Sequence, residues 1–296
     1  QPSPPNNAHA IGINTDGQTV PPELAHAPTA FHRGLAVDRF FKTTLIIAAA
    51  WLPAACATMP SETAMVPPTS VDAVGVISQQ IPLPKGYLDP AAAPDSLALL
   101  PPPPTAGSAL KAADQQAYVE ALSASADRQA LAASDADLGW PNVISSFEPI
   151  VGMSLSDGSK PHTEMLLRRA MTDAGLSTYR AKNHYQRVRP FVENNAGSCT
   201  PAEEAALRGD GSYPSGHTAI GWMLALVLTE LVPAQQDALL KRGYDFGQSR
   251  VVCRVHWYSD TVSGRNIASA TFARLQADPT FRMQADLARQ EIAAAR

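Results

Sequence analysis

One stretch of this chain constrains the fold more than any other. Residues 219–228 read AIGWMLALVL, so a helix over them is apolar on every side and has to lie in the protein interior. A helix of about 15 residues is short for a membrane span, which needs roughly 20. Pro233 follows and ends the helix, because proline has no N–H to donate. The other segments therefore have to cover this central helix.

The residues just before this helix are suited to binding an anion. Residues 211–218 read GSYPSGHT, and we call residues 214–217 the PSGH motif. Ser215 is a candidate N-cap, Gly216 allows a close approach of the backbone, and His217 falls on the first turn, where free N–H groups attract anions. The motif predicts a site that holds a phosphate and offers it a proton. By itself it equally fits a capped helix with an incidental histidine.

A second cluster supplies positive charge. Lys182 and Arg189, which we call the basic motif, lie on a helix predicted over residues 177–189. Their separation corresponds to two helical turns, so both cations would project from one face. Two cations that converge repel each other unless an anion lies between them. The alternative is a solvated basic face shared with Arg180 and Arg187.

A third cluster combines histidine with a carboxylate. Residues 249–260 read SRVVCRVHWYSD, and we call them the His–Asp motif. His256 and Asp260 are four residues apart and can pair if this stretch is helical. A carboxylate on one ring nitrogen leaves the other nitrogen basic, which makes the imidazole an oriented nucleophile or base. The alternative is a structural hydrogen bond between the two side chains.

The body of the chain is predicted to be all-α. No alternating strand pattern extends beyond a few residues, and apolar side chains recur at helical spacing from Ser108 onward. We predict a single-domain helical bundle over residues 107–296. Residues 58–106 are rich in proline and predict an extended arm. Helices are predicted at residues 109–124, 127–133, 161–175, 234–248, 262–276 and 279–295.

The N-terminal segment has the composition of an export signal. Residues 37–57 begin with charged side chains and continue into a short apolar run that ends in an A-x-A-like sequence, which is typical of a secretory signal peptide. Lipidation of Cys56 is the alternative to simple cleavage. Residues 1–36 lack periodicity and are predicted to be disordered, or an untranslated leader if translation starts at Val37. We therefore expect an exported protein.

Charge and cysteine content exclude some functions. The net charge is −4 and no basic stripe is present, so nucleic acid is not an expected partner. No H-E-x-x-H pattern occurs, and the cations of the motifs would oppose a divalent ion, so we predict no metal site. Cys199 and Cys253 are predicted to form a disulfide in an oxidising compartment, the alternative being two buried free thiols.

Together the three motifs resemble a known signature. They occur as the ordered set Lys182-x6-Arg189-Pro190, Pro214-Ser215-Gly216-His217 and Ser249-Arg250-x5-His256-x3-Asp260. This set is similar to the tripartite signature of the type 2 phosphatidic acid phosphatase/vanadium haloperoxidase superfamily. The bacterial class A non-specific acid phosphatases are more similar still, through PDSLALLPPPP, GSYPSGHT and KRGYDFGQS at residues 94–104, 211–218 and 241–249. The resemblance covers residues 87–295.

This resemblance implies an all-α enzyme with no metal or other cofactor that acts on small phosphate monoesters. His256 would accept the phosphoryl group, Asp260 would orient it, and His217 would protonate the leaving alcohol and then activate water. The phosphate oxygens would be held by Lys182, Arg189, Arg250, Ser215 and the N–H of Gly216. A periplasmic location, phosphotransfer to alcohols and a homodimer are further expectations, since members of such families often form dimers.

Three other functions compete with the phosphatase. A vanadium haloperoxidase could use the same pocket, although those enzymes usually carry a longer insertion between the PSGH and His–Asp motifs than this chain does. A membrane lipid phosphatase is disfavoured because the body lacks a membrane span. A non-catalytic protein that binds phosphate compounds is disfavoured, because such a protein would not need all three motifs to be intact.

Overall fold

A computed structural model describes residues 66–79 and 82–296, and every structural statement below concerns those residues. The predicted leader, the signal peptide and Cys56 lie outside them. Within the described ranges the chain is all-α, as predicted, with one isolated β-bridge between Val76 and Pro84. None of the helices formed by the described residues is long and apolar enough to cross a membrane.

Fourteen α-helices follow one another along the described residues. They are α1 (Val71–Val74), α2 (Ser96–Leu99), α3 (Ala109–Ala121), α4 (Ala126–Ser134), α5 (Asn142–Ser145), α6 (Glu148–Val151), α7 (Pro161–Ser177), α8 (Tyr179–Tyr185), α9 (Pro190–Glu193), α10 (Glu204–Arg208), α11 (Gly216–Leu231), α12 (Gln236–Val252), α13 (Tyr258–Leu275) and α14 (Pro279–Ala294). Short 3₁₀ turns at Pro201–Glu203 and Pro233–Gln235 precede α10 and α12.

Helix α11 is the central helix that the apolar run predicts. None of its residues is exposed, and it packs against α7, α12 and α13, while α14 covers α7. Because lateral neighbours surround α11, its apolar side chains are removed from water on every side, which is the main favourable contribution to folding. Its N-terminus, with the PSGH motif, is held where these helices meet.

Glycines let these helices approach closely. A Cβ atom on Gly243 of α12 would lie 2.4 Å from the Cβ of Ala225 in α11. A Cβ on Gly264 of α13 would lie 2.5 Å from the carbonyl oxygen of Ser215, a backbone atom that cannot turn aside. The packing of α13 against the PSGH motif therefore requires glycine at position 264.

The helix predicted over residues 177–189 is wrong, and the helical condition for the pairing of His256 with Asp260 is not met. The helix predicted over residues 177–189 ends at Tyr185, because Gln186 adopts φ 43° and residues 186–189 leave the helix. Arg189 is extended, with φ −76° and ψ 151°, as expected for a residue that precedes a proline. His256 likewise precedes α13, so it does not share a helix with Asp260.

The segment predicted as an extended arm contacts the helical body at several points. The hydroxyl of Ser96 in α2 accepts a hydrogen bond from the backbone N–H of Ala181 at 3.1 Å. The hydroxyl of Tyr213 donates to the carbonyl of Pro101 at 2.5 Å. These contacts tie the segment to α8 and to the residue that precedes the PSGH motif.

The predicted disulfide joins Cys199 to Cys253, with 4.7 Å between their Cα atoms. It links the polar loop after α9 to the end of α12. Arg254 follows with φ 62°, and its Nε donates to the carbonyl of Gly197 at 2.7 Å in the same loop. The chain therefore turns sharply just before His256 and is anchored there by a covalent bond.

We predict that Gly264→Ala lowers the free energy of unfolding by roughly 1–3 kcal/mol, because the added methyl group forces α13 away from Ser215. Gly175→Ala in α7 is the matched control, since its Cβ would have no neighbour closer than 3.5 Å. It should leave stability unchanged or raise it by up to about 1 kcal/mol. Urea denaturation of both variants tests this, and equal stabilities would contradict it.

Candidate active site

Three buried cations converge at the N-terminus of α11. Lys182 comes from α8, Arg189 from the extended residues before α9, and Arg250 from the last turn of α12. Their exposed fractions are 4%, 3% and 0%. The N-terminus of a helix carries partial positive charge as well. This convergence excludes the solvated basic face as an explanation of Lys182 and Arg189.

Arg250 carries positive charge that no described group of the protein neutralises by contact. Among the residues described, none forms a hydrogen bond with its Nε, Nη1 or Nη2 atoms, all of which are buried. Burial lowers the pKa of Arg250 to about 10, so the guanidinium is still charged at neutral and acid pH. Buried polar groups without partners are rare and costly. An anion with several acceptor oxygens would supply the missing partners.

Lys182 and Arg189 are held in place by the residues just before the PSGH motif. Lys182 Nζ donates to the carbonyl of Gly211 at 2.6 Å and lies 3.3 Å from Asp210 Oδ2. Arg189 Nη2 donates to the same carboxylate oxygen at 2.9 Å. Asp210 was missed by the sequence analysis, although its position beside the motif is a signal. It bridges the two cations from the solvent side.

The surroundings of His256 determine its tautomer. Its Nδ1 lies 2.7 Å from the carbonyl oxygen of Ser212, which can only accept, so Nδ1 carries the proton. The lone pair is therefore on Nε2, which lies 3.2 Å from Nη1 of Arg189. Burial, then the charges of Arg189, Lys182 and Arg250, lower the pKa of His256 well below its usual range. His256 is thus a neutral imidazole whose Nε2 lone pair faces the cations and accepts a hydrogen bond from Arg189.

Asp260 lies farther from His256 than the predicted helical pair implies. Its Oδ2 is 3.5 Å from His256 Nδ1 and accepts the backbone N–H of Trp257 at 2.8 Å. Burial raises the pKa of Asp260 to about 6, even though the Arg187 guanidinium lowers it. The backbone carbonyl of Asp260 accepts the N–H of Ser215 at 3.1 Å, which joins the His–Asp motif to the PSGH motif.

The PSGH motif caps α11 as predicted. The hydroxyl of Ser215 accepts from the N–H of Thr218 at 3.3 Å. Gly216 begins the helix, and a Cβ there would be in ordinary van der Waals contact with Thr178 Oγ1 at 3.6 Å. The first turn of a helix has free N–H groups, and the charges of Arg250, Arg189 and Lys182 all act on His217 in this turn.

His217 is oriented by a backbone carbonyl. Its Nε2 lies 3.0 Å from the carbonyl oxygen of Ala136, so Nε2 donates and Nδ1 is left for acid–base chemistry. Burial, and then the charge of Arg250, lower the pKa of His217 well below its usual range. Both histidines are therefore neutral in the empty site at neutral pH.

Arg187 was assigned by the sequence to the alternative basic face, and that interpretation is wrong for this residue. Its guanidinium is buried between the carboxylates of Asp114 and Asp260. Arg180, in contrast, is exposed and pairs with Asp95.

No group of three or more His, Cys, Asp or Glu side chains within residues 66–79 and 82–296 is arranged to hold a metal ion.

Comparison with known proteins places the site in context. The sequence pattern of the PAP2 superfamily matches residues 165–281, which include all three motifs. The chain is 44% identical over 209 residues to a non-specific acid phosphatase of Providencia stuartii, covering 70% of this chain and 84% of that protein. It is 43% identical over 204 residues to an acid phosphatase of Zymomonas mobilis, covering 68% and 77%. A non-specific acid phosphatase of Salmonella typhimurium is 42% identical over 195 residues, covering 65% and 78%.

We predict that Arg250→Met abolishes anion binding without loss of stability. Replacing a buried ion pair with apolar side chains is often neutral or stabilises by about 1–4 kcal/mol, and Arg250→Met leaves no hydrogen-bond partner unpaired among the described residues. Orthophosphate at 100 times its dissociation constant should stabilise the unchanged protein by about 2.7 kcal/mol and the variant not at all. Arg180→Met, which removes an exposed cation from α8, is the control and should keep the effect of phosphate. Thermal unfolding with and without phosphate measures both, and a phosphate-dependent shift in the Arg250 variant would contradict this role.

Proposed function

The chain belongs to the PAP2 superfamily, and we propose that it is an acid phosphatase that hydrolyses phosphate monoesters through a phosphohistidine intermediate. The observation that carries the proposal is the orientation of His256, whose unprotonated Nε2 faces the buried cations and accepts from Arg189, a contact that the phosphate would replace. A nucleophile opposite a site for a dianion is the arrangement that phosphoryl transfer requires. The relatives named as acid phosphatases support the same conclusion.

In the first step, Nε2 of His256 attacks the phosphorus atom and the bond from phosphorus to the ester oxygen breaks. Arg250, Lys182 and Arg189 neutralise the phosphate oxygens, and guanidinium groups match two oxygens at once. Each preorganised donor of this kind contributes a few kcal/mol of transition-state stabilisation, roughly 3–4 in a measured case. Binding of the phosphate dianion offsets the nearby positive charge, so His217 takes up a proton from solvent at Nδ1. His217 then gives this proton to the leaving oxygen, which departs as an alcohol.

In the second step, His217 takes a proton from water through Nδ1, and the water oxygen attacks phosphorus. The bond from phosphorus to Nε2 of His256 breaks, and orthophosphate leaves. The ionised Asp260 stabilises the positive imidazole that exists in the intermediate. An alcohol in the place of water would receive the phosphoryl group instead, so phosphotransferase activity belongs to the same proposal.

An apolar cavity provides space for the leaving group. It has a volume of about 670 Å³, and its walls include Leu138, Trp140, Met171, Tyr179 and Ile220. His217 does not line this cavity, but Ile220, three residues further along α11, does. Arg168 and Thr172 are the polar side chains among its mainly apolar walls. Mainly apolar walls favour varied substrates, since hydrogen-bonding groups are what fix one ligand.

Export remains part of the proposal. The disulfide between Cys199 and Cys253 supports an oxidising compartment, where such bonds persist. N-terminal sequencing of the native protein tests it, and any residue from 1–36 in the mature chain would contradict cleavage of the predicted signal peptide. A periplasmic location and a homodimer stay predictions.

Vanadium haloperoxidase is the second candidate, since vanadate resembles the transition state of phosphoryl transfer and fits the same cations. Helices α11 and α12 are joined by a single 3₁₀ turn, so no insertion separates the PSGH and His–Asp motifs. This short connection favours the phosphatase. A protein that oxidises bromide with peroxide after vanadate loading, and releases no phosphate from esters, would overturn the proposal.

We predict that the full chain releases phosphate from p-nitrophenyl phosphate in excess EDTA, with a maximum at acid pH. His256→Ala should lower kcat by a factor on the order of 10³ or more, as removal of a nucleophile does elsewhere. His184→Ala, which changes an exposed histidine close to Lys182, should keep full activity. Phosphate binding without turnover in the unchanged protein would identify a binding protein instead.

His217→Ala should distinguish the two kinds of leaving group. An alkoxide needs a proton to leave, whereas p-nitrophenolate is a stable anion, so kcat should fall about 10²-fold or more for an alkyl phosphate and much less for the first step with p-nitrophenyl phosphate. Because the variant cannot activate water, an acid-labile, alkali-stable phosphoenzyme should accumulate. Rapid quenching with radiolabelled substrate measures it. Equal losses for both substrates without a phosphoenzyme would refute the role of His217.

A further inference from the structure

A buried ion network lies behind His256 and joins Asp260 and Ser259 of the His–Asp motif to two residues outside the motifs, Arg187 and Asp114. Arg187 Nη1 donates to Asp260 Oδ1 at 2.5 Å, and its Nη2 donates to Asp114 Oδ2 at 2.7 Å. The side chains of both carboxylates are fully buried, and that of Arg187 is only 9% exposed. Ser259 completes the network, because its hydroxyl and backbone N–H both bind Asp114 at 2.7 Å.

The backbone of Arg187 reaches the same histidine by another route. Its carbonyl accepts the N–H of Ser212 at 2.8 Å, and the carbonyl of Ser212 is the partner of His256 Nδ1. The side chain of Arg187 holds Asp260, whose other oxygen lies 3.5 Å from that Nδ1. Arg187 therefore positions both acceptors that face the proton-bearing nitrogen of the nucleophile.

Charge makes the position of Arg187 more than structural. Asp260 is fully buried, and burial raises its pKa to about 6. The adjacent Arg187 guanidinium acts in the opposite direction, because its charge lowers the pKa and favours the ionised carboxylate. Asp114 from α3, His256 from the loop before α13, and Lys111 from α3 over the ring of Trp257 also lie around this network. Lys182 and Arg189 from the pocket, and Tyr213 before the PSGH motif, interact electrostatically with Asp260 as well. Arg187 is the only cation within the described residues that forms an ion pair with Asp260.

We propose that Arg187 and Asp114 are positioning residues for phosphoryl transfer: Asp114 fixes the Arg187 guanidinium, which holds Asp260 ionised and directed at His256. The inference rests on the proposed function. Asp114 acts only through Arg187 and Ser259, and neither Asp114 nor Arg187 touches the substrate.

Two substitutions of Arg187 separate charge from geometry. Arg187→Lys keeps the charge but cannot bridge two carboxylates, so kcat should fall about 10-fold with the acid limb of the pH profile close to its original position. Arg187→Met removes the charge, so Asp260 should bind a proton at higher pH, and the acid limb of kcat/KM should move upward by about one pH unit. KM should change less than threefold in both. Lys111→Met, which removes the other cation near Trp257, is the matched control and should alter neither quantity.

Asp114→Asn tests the outer member of the network and nearly conserves the shape of the side chain. The proposal can therefore still be tested with this variant if the Arg187 variants do not fold. The amide still accepts from the N–H of Ser259 but loses the charge that fixes Arg187, so kcat should fall several-fold without an upward move of the acid limb. Thermal unfolding establishes that each variant is folded at the assay temperature.

The outcomes separate the two proposals. No phosphate release by the unchanged protein refutes the proposed function. The positioning role is refuted if the unchanged protein turns over normally and a folded Arg187→Met variant keeps the same kcat and the same acid limb. It is also refuted if a folded Asp114→Asn variant keeps the same kcat. A loss confined to KM also refutes it, because a positioning residue for the nucleophile acts on kcat.

Discussion

The structure keeps a charged guanidinium buried with no acceptor for its N–H groups among the described residues, and the rest of the fold has to tolerate this charge. Arg250 has this environment, and Lys182 and Arg189 lie beside it at the positive end of α11. Charges of one sign that are removed from water destabilise the fold, so the surrounding helices have to be held together by other forces. The buried apolar surface of α11 provides the main one, and the close approach of α13 at Gly264 fixes the PSGH motif against it.

Carboxylates decide where the remaining positive charge acts. Asp210 offsets part of the charge of Lys182 and Arg189 from the edge of the pocket, and Asp114 and Asp260 enclose Arg187 behind His256. Arg250 has no such partner among the described residues, so its field acts on the pocket itself. A phosphate dianion entering the site would meet its strongest unsatisfied donor there, directly opposite the lone pair of His256.

Much of this arrangement could be predicted from the sequence, and the failures concern the conformation and the contacts of the backbone. The central helix and its Ser215 cap were evident because periodicity and capping are local properties. The helix over residues 177–189 was wrong, because the left-handed conformation of Gln186 and the proline after Arg189 outweigh helix propensity there. The partner of His256 Nδ1 could not be found from residue types at all, since it is the backbone carbonyl of Ser212. Contacts made by the backbone leave no signature in the sequence.

The same cations that attract phosphate also set the acidity of the site. Burial, and then the charge of Arg250, lower the pKa of His217, so this histidine has little tendency to carry a proton while the pocket is empty. A bound dianion cancels much of that charge, and the proton becomes stable on Nδ1 just where the leaving oxygen needs it. In the proposed mechanism, binding and acid catalysis are therefore coupled through Arg250: the negative charge of the substrate restores the basicity that the guanidinium suppresses. In the same mechanism, a lower pH favours the reaction, because it raises the fraction of His217 that is protonated when the substrate binds.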